Sequence, residues 1–155
     1  MQGDKKVIDC LNALLTEELS AVDQYVVQAA MFEDWGYTKL FERIAHEADD
    51  ERGHARRLVQ RILFLEGSPD VSSRSPLAIG TEPKSMLEND LKYELEVAAA
   101  LRKGIDLCTE KSDGGTRQLL EELLRDTEED HIFWLESQLH LIGQVGLERY
   151  LAQQL

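Results

Sequence analysis

The sequence predicts an all-α protein: a four-helix bundle with one long crossover between its second and third helices and a short fifth helix at the C-terminus. Three observations predict it. Apolar residues recur every three to four positions over most of the 155 residues, which is the period of a helix with one buried face. All three prolines, Pro69, Pro76 and Pro83, fall in one stretch, GSPDVSSRSPLAIGTEP, from Gly67 to Pro83. The remaining breaks are short and rich in glycine.

Each element follows in order. Helix 1 is expected over about residues 4–34, ending near Trp35-Gly36, and helix 2 over about 38–65, stopping at Gly67. Helix 3 starts near Pro83 and runs to about Lys111, where Ser112-Asp113-Gly114-Gly115 makes a tight break. Helix 4 is expected over about 116–142, and Gly143 and Gly146 then set off a terminal helix over about 147–154. The four long helices would each be ~40 Å at 1.5 Å per residue. Links of two to four residues make helices 1 and 2, and helices 3 and 4, antiparallel neighbours. The middle connection can extend ~50 Å, enough to cross the bundle and start helix 3 parallel to helix 2. Residues 1–155 then form a single domain, with the bundle over about 4–142.

Composition bounds the function. With 43% hydrophobic residues the chain can bury a core, and its formal charge of −13 argues against nucleic acid, whose phosphates need a basic stripe. An acidic surface can also gather cations. Cys10 and Cys108 lie far apart in apolar stretches outside any CxxC pair, so free buried thiols in a reducing cytoplasm are expected. No apolar run is long enough to span a bilayer, and MQGDKKVIDC lacks a signal-peptide core.

The chemistry lies in charges that interrupt the apolar stripes. Two Glu-x-x-His motifs occur: Glu51-Arg52-Gly53-His54 in helix 2 and Glu128-Glu129-Asp130-His131 in helix 4. A spacing of three puts both side chains of a motif on one helix face. Leu40, Ile44, His54, Leu58, Ile62 and Leu65 fall within ~60° of Glu51, and Leu124, His131, Leu135, Leu139 and Ile142 fall likewise around Glu128. Helix 1 carries Glu18 amid Val7, Leu11, Leu14, Leu15, Val22, Tyr25 and Ala29. Helix 3 carries Glu94 amid Leu87, Leu91, Leu95, Ala98, Leu101 and Ile105. One carboxylate per helix thus faces the core at mid-height, joined by two imidazoles. Unpaired buried carboxylates cost several kcal/mol each or take up protons. Two divalent cations would balance four carboxylates, and this donor set suits iron or manganese better than zinc.

Over essentially its whole length the sequence resembles bacterioferritin, of the ferritin-like superfamily. The resemblance is carried by MQGDKKVIDCLNALLTEELSAVDQY, RILFLEGSP, DTEEDHIFWLE and GLERYLAQQL. Di-iron carboxylate bundles of this class take one Glu from each of two helices and Glu-x-x-His from the other two. The resemblance implies that Glu18, Glu51, His54, Glu94, Glu128 and His131 ligate a di-iron ferroxidase centre, with Glu51 and Glu128 bridging and Glu18 and Glu94 terminal. It places Tyr25 and Trp134 close to that centre and implies a further iron site at His46 and Asp50 on the inner surface of a shell. The implied function is storage and detoxification of iron: Fe(II) is oxidised by O2 or H2O2 and deposited as ferric mineral in a 24-subunit cage. A ferredoxin-like reductant would release it.

There is one departure. The family's haem is ligated by a methionine between the Glu and His of the helix 2 motif, and this sequence has Arg52 there. Arginine cannot act as a soft axial ligand, so no haem is expected in a homo-oligomer, and a mixed shell with a haem-binding subunit is the natural variant. Two other readings stay open from the residues: a di-iron or di-manganese enzyme that handles peroxide without storage, and a structural non-haem partner subunit of a mixed cage.

Overall fold

A computed structural model describes all residues, Met1–Leu155. The helices are α1 (Lys5–Asp34), α2 (Thr38–Phe64), α3 (Pro83–Glu110), α4 (Gly114–Asp126), a π-helical segment (Thr127–Ile132), α5 (Phe133–Val145) and α6 (Leu147–Ala152). There are no strands, and the architecture is the expected four-helix bundle with a short terminal helix.

Local chemistry sets the helix starts. Asp4 accepts from the Lys6 amide at 2.8 Å, and Glu82 accepts from the amides of Lys84 and Ser85 at 3.0 and 2.6 Å, with Pro83 as the first helical residue. Asp113 accepts from the Thr116 amide at 3.0 Å, which moves the start of α4 forward to Gly114. Each cap satisfies an otherwise orphaned donor and is worth ~1 kcal/mol. The C-terminal end differs from expectation in the other direction. Helix runs through Gly143 and stops only at Gly146, whose φ of 86° a residue with a Cβ rarely adopts.

The crossover proves its own direction. From Ser68 to Ile79 it is tied in sequence order along α1. Asn12 Nδ2 donates to Ser68 O (3.1 Å), Ser75 N to Ser20 Oγ (2.9 Å), Ala78 N to Gln24 Oε1 (3.2 Å) and Gln28 Nε2 to Ile79 O (2.8 Å). The strap thus runs parallel to α1 and delivers the chain to the far end of the bundle. There α3 begins antiparallel to α1, as the bonds from Gln24 to Asp90 and from Tyr93 to Glu17 confirm.

One expectation about the fourth helix is corrected. It is not one uninterrupted α-helix over 116–142 but is opened into a π turn across Thr127–Ile132. An i→i+5 turn holds an extra residue. The position in line with His131 therefore shifts from three residues earlier toward four earlier, from Glu128 to Thr127. Thr127 is 1% exposed, while the Glu128 side chain is 42% exposed. Leu95, expected on the buried stripe of α3, is also 48% exposed.

The core comes in two pieces of 13 and 12 buried residues, one around Leu11, Leu58 and Leu101 and the other around Phe32, Ile44 and Leu87. What separates two pieces of nearly equal size at mid-height is a layer of charged side chains.

Candidate metal centre

All four long helices contribute to that layer. Glu18 (α1), Glu51 and His54 (α2), Glu94 (α3) and His131 (π segment) are each 5% exposed or less. His54 Nδ1 lies 3.5 Å from Glu18 Oε2 and 3.2 Å from Glu51 Oε2. His131 Nδ1 lies 2.9 Å from Glu51 Oε1 and 3.4 Å from Glu94 Oε1. The two imidazole rings face each other with centroids 5.9 Å apart.

Three clusters of possible donors result, each with its atoms within 4.8 Å of one another: Glu18–Glu51–His54 and Glu51–Glu94–His131 within the layer, and Glu47–Asp50–Asp130–His131 on the outer side of His131. Glu51 belongs to both sets within the layer, one oxygen to each. This is the arrangement a carboxylate bridging two cations requires, with Glu18 and Glu94 at the two ends. Neither lysine nor arginine lies within ion-pairing distance of Glu18, Glu51 or Glu94; the only cationic partners are the two imidazoles. Both oxygens of Glu18, and Oε2 of both Glu51 and Glu94, have no hydrogen-bond partner. Buried acceptors left bare in this way favour a bound cation.

Protonation carries the charge in the metal-free protein. Burial pushes the Glu18 carboxyl well above its usual range, and the nearby Glu51 charge adds to this. Burial alone would lower His54, but the Glu18 and Glu51 carboxylates beside it outweigh this and push the imidazole up to about 11. His131 is raised in the same way by Glu47, Glu51 and Glu94. Tyr25, 2% exposed, donates its hydroxyl to Glu94 Oε1, and burial together with that carboxylate holds the phenol well above its ordinary value.

The structure therefore brings Glu18, Glu51, His54, Glu94 and His131 together, with Tyr25 against Glu94. Glu128 stands apart: its carboxylate is 2.7 Å from Arg102 Nη2 on the surface of α3, rotated out by the π turn. His46 and Asp50 pair with each other at 3.3 Å. They line a polar pocket of about 450 Å³ with Asp49, Gly53, His54, Arg57, Asp126 and Asp130, on the outer side of the His54 imidazole. Trp134 stands one turn after His131, and the guanidinium of Arg43 lies 4.8 Å over its ring. Arg52 pairs with Asp49 at 2.7 Å beside a shallow hollow lined by Val26, Ala30, Phe41 and Ala45.

Sequence reasoning passed over two buried carboxylates. Glu47 is 3% exposed with Oε2 2.6 Å from His131 Nε2, and Asp90 is 0% exposed with Oδ1 accepting from Gln24 Nε2 at 2.8 Å. Burial pushes the Asp90 carboxyl up to about 8, against the lowering effect of Gln24 and Gln28. Each sits four residues before a residue of the centre, Glu51 or Glu94, so the same periodicity contained the signal.

Comparison with known proteins shows the family. A family model described as the ferritin-like domain matches residues 8–145. A bacterial ferritin of Pseudomonas aeruginosa is 52% identical over 155 residues, covering 100% of both chains. A bacterial ferritin of Synechocystis is 46% identical across 100% of this chain and 99% of its own. A bacterioferritin of Mycobacterium leprae is 44% identical over 99% of this chain and 96% of its own. On fold and similarity alike, the chain belongs to the ferritin-like family.

Proposed function

We propose that this protein stores iron, and that the buried layer is a di-iron ferroxidase centre through which Fe(II) passes as substrate. The observation that carries the reading is the pair of donor sets sharing Glu51, buried at mid-bundle without a lysine or arginine to neutralise them. Carboxylate and imidazole donors favour the harder ferric state. With peroxide the balance is two Fe(II), one H2O2 and two protons giving two Fe(III) and two waters; with dioxygen, two Fe(II), one O2 and two protons give two Fe(III) and one H2O2. Protons held on Glu18 and the imidazoles leave as iron enters, and Tyr25 fixes the Glu94 oxygen that would otherwise rotate.

Glu128 completes the proposed ligand set as the second bridge. Its ion pair with Arg102 joins two half-exposed side chains and is worth no more than ~1 kcal/mol, so iron can draw it inward cheaply. Arg102→Ala is therefore expected to change iron affinity by less than about fivefold, whereas Glu128→Ala lowers it by tenfold or more. Equilibrium titrations of the two variants decide this.

The ferric product would nucleate in a 24-subunit shell, with His46 and Asp50 on its inner wall receiving iron from the centre through the polar pocket. Exposed Val26, Leu63, Phe64 and Phe133 supply apolar area for contacts between copies. The two free thiols fit a reducing cytoplasm, and no helix is long and apolar enough to cross a membrane. The donor at position 52 does not fit haem, since a guanidinium paired with Asp49 offers no soft ligand. Arg52→Met in the assembled protein is expected to create a Soret band on haem addition, where the unaltered homo-oligomer shows none.

The function itself is tested by anaerobic titration with Fe(II), admission of oxygen, and sizing. A fast oxidation phase saturating at two irons per chain, in a large assembly, is expected. A small species holding manganese and inert to Fe(II) would instead establish the peroxide-handling alternative.

A further inference from the structure

The two imidazoles are held from behind in different ways. Each turns Nδ1 inward to the donor set and Nε2 outward, and what meets Nε2 differs. His131 Nε2 lies 2.6 Å from Glu47 Oε2, a close charge contact, and is in hydrogen-bonding geometry with Asp50 Oδ2 at 3.3 Å. Glu47 is itself buried, and its other oxygen is 2.6 Å from Arg43 Nη2. Arg43 is fixed in turn by Asp130 Oδ1 at 2.7 Å and by the face of Trp134. His54 Nε2 meets only Asp126 Oδ2 at 3.4 Å, a side chain 55% exposed that stands in the open polar pocket.

Resting on the reading of the layer as a two-metal centre, we propose that Glu47, clamped by Arg43, is a positioning residue for His131 and makes the Glu51–Glu94–His131 position the tighter of the two. The physical reason is orientation. A carboxylate held against one ring nitrogen favours the proton on that nitrogen, so that the other is presented unprotonated toward the metal and is more basic. A buried acceptor with its own cation and aromatic support holds that geometry. An exposed aspartate at the edge of solvent spends little time doing so. Glu47 also cannot turn inward as a competing ligand while Arg43 holds it. The centre is thereby asymmetric, with a firmly held ion at His131 and an exchangeable one at His54, next to the pocket through which iron would travel.

The test uses the assembled, metal-free protein titrated anaerobically with Co(II), which keeps its oxidation state and reports ligation by visible d–d absorption. The unaltered protein is expected to take up two Co(II) per chain in two resolved steps. Glu47→Gln, which keeps the shape and removes the charge, is expected to weaken the first step 10- to 100-fold, shift its d–d band, and leave the second within about threefold. Arg43→Lys, keeping a charge but losing the planar guanidinium that meets Glu47, Asp130 and the face of Trp134, is expected to fall between. Asp126→Asn is expected to leave both steps within about threefold, since an exposed aspartate orients His54 little. A role in folding alone would change helix content or assembly size and move both steps together, and that result would overturn the proposal. So would two unchanged steps in Glu47→Gln. Failure of the unaltered protein to bind two Co(II) would overturn the metal-centre reading itself, a different and recognisable result.

Discussion

His131→Ala is expected to abolish the fast phase of Fe(II) oxidation, by at least about 100-fold, since even partners one shell further out are worth 10- to 100-fold. The imidazole is the only nitrogen donor to the Glu51–Glu94 position, and it carries the contact to Glu47. Losing it leaves one position with carboxylates alone and unlinks the other through the shared Glu51. His54→Ala is expected to act likewise through Glu18 and Glu51. Deleting a buried partner of carboxylates also costs stability. His131→Asn, which keeps a polar side chain beside Glu51, should therefore show the same kinetic loss with a smaller drop in thermal midpoint. Stopped-flow absorbance of the ferric product is the measurement, with far-ultraviolet circular dichroism and sizing as controls. Normal oxidation kinetics in either alanine variant would remove the centre from the mechanism.

The second large effect concerns pH. His54 is pushed up to about 11 and Asp90 up to about 8 in the folded, metal-free protein, and Glu18 is raised as well. A raised pKa means that the folded state binds more protons than the unfolded one, so stability falls as pH rises. The Asp90 contribution is complete below its unfolded pKa of ~4 and lost by about 8; the His54 contribution is complete below ~6.5 and lost as pH climbs toward 11. The metal-free protein is thus expected to lose roughly 10 °C or more in thermal midpoint between pH 6 and pH 9, given ~1.4 kcal/mol per pH unit for each group and ~2–4 °C per kcal/mol for a chain of this size. Filling the centre with a divalent cation replaces the protons at Glu18 and His54. It should flatten the profile and raise the midpoint, by ~2.7 kcal/mol per site at a hundredfold excess over the dissociation constant. Differential scanning calorimetry across pH, with and without Co(II), measures both. A metal-free midpoint rising from pH 6 to pH 9 would contradict the assignment of buried, proton-holding groups.

Much of the centre was legible because burial and charge conflict. Glu18, Glu51 and Glu94 stand out on apolar stripes, and helical period alone separates Glu18 from its outward neighbour Glu17. The crossover was legible from three clustered prolines and its length. Glu47 and Asp90 were just as periodic but belong to no recognisable motif; their role appears only when His131 and Gln24 arrive from other helices. Glu128 shows where periodicity fails. The segment TEEDHI contains neither proline nor glycine to announce a change of helix type, so its α-helical phase was the natural inference.

By itself, then, the sequence determined the helices, their order, the long crossover and the identity of five inward-facing polar side chains, because each follows from local spacing, caps and breaks along one chain. Only the tertiary structure decided which atoms meet: that Glu51 is shared by the two donor sets, that Glu128 turns out to Arg102, and that Arg43, Glu47 and Trp134 stand behind His131. Those contacts join residues as far as 91 positions apart, as Arg43 and Trp134 are, and such pairings depend on how helices pack and where one turn loosens. No local pattern encodes that.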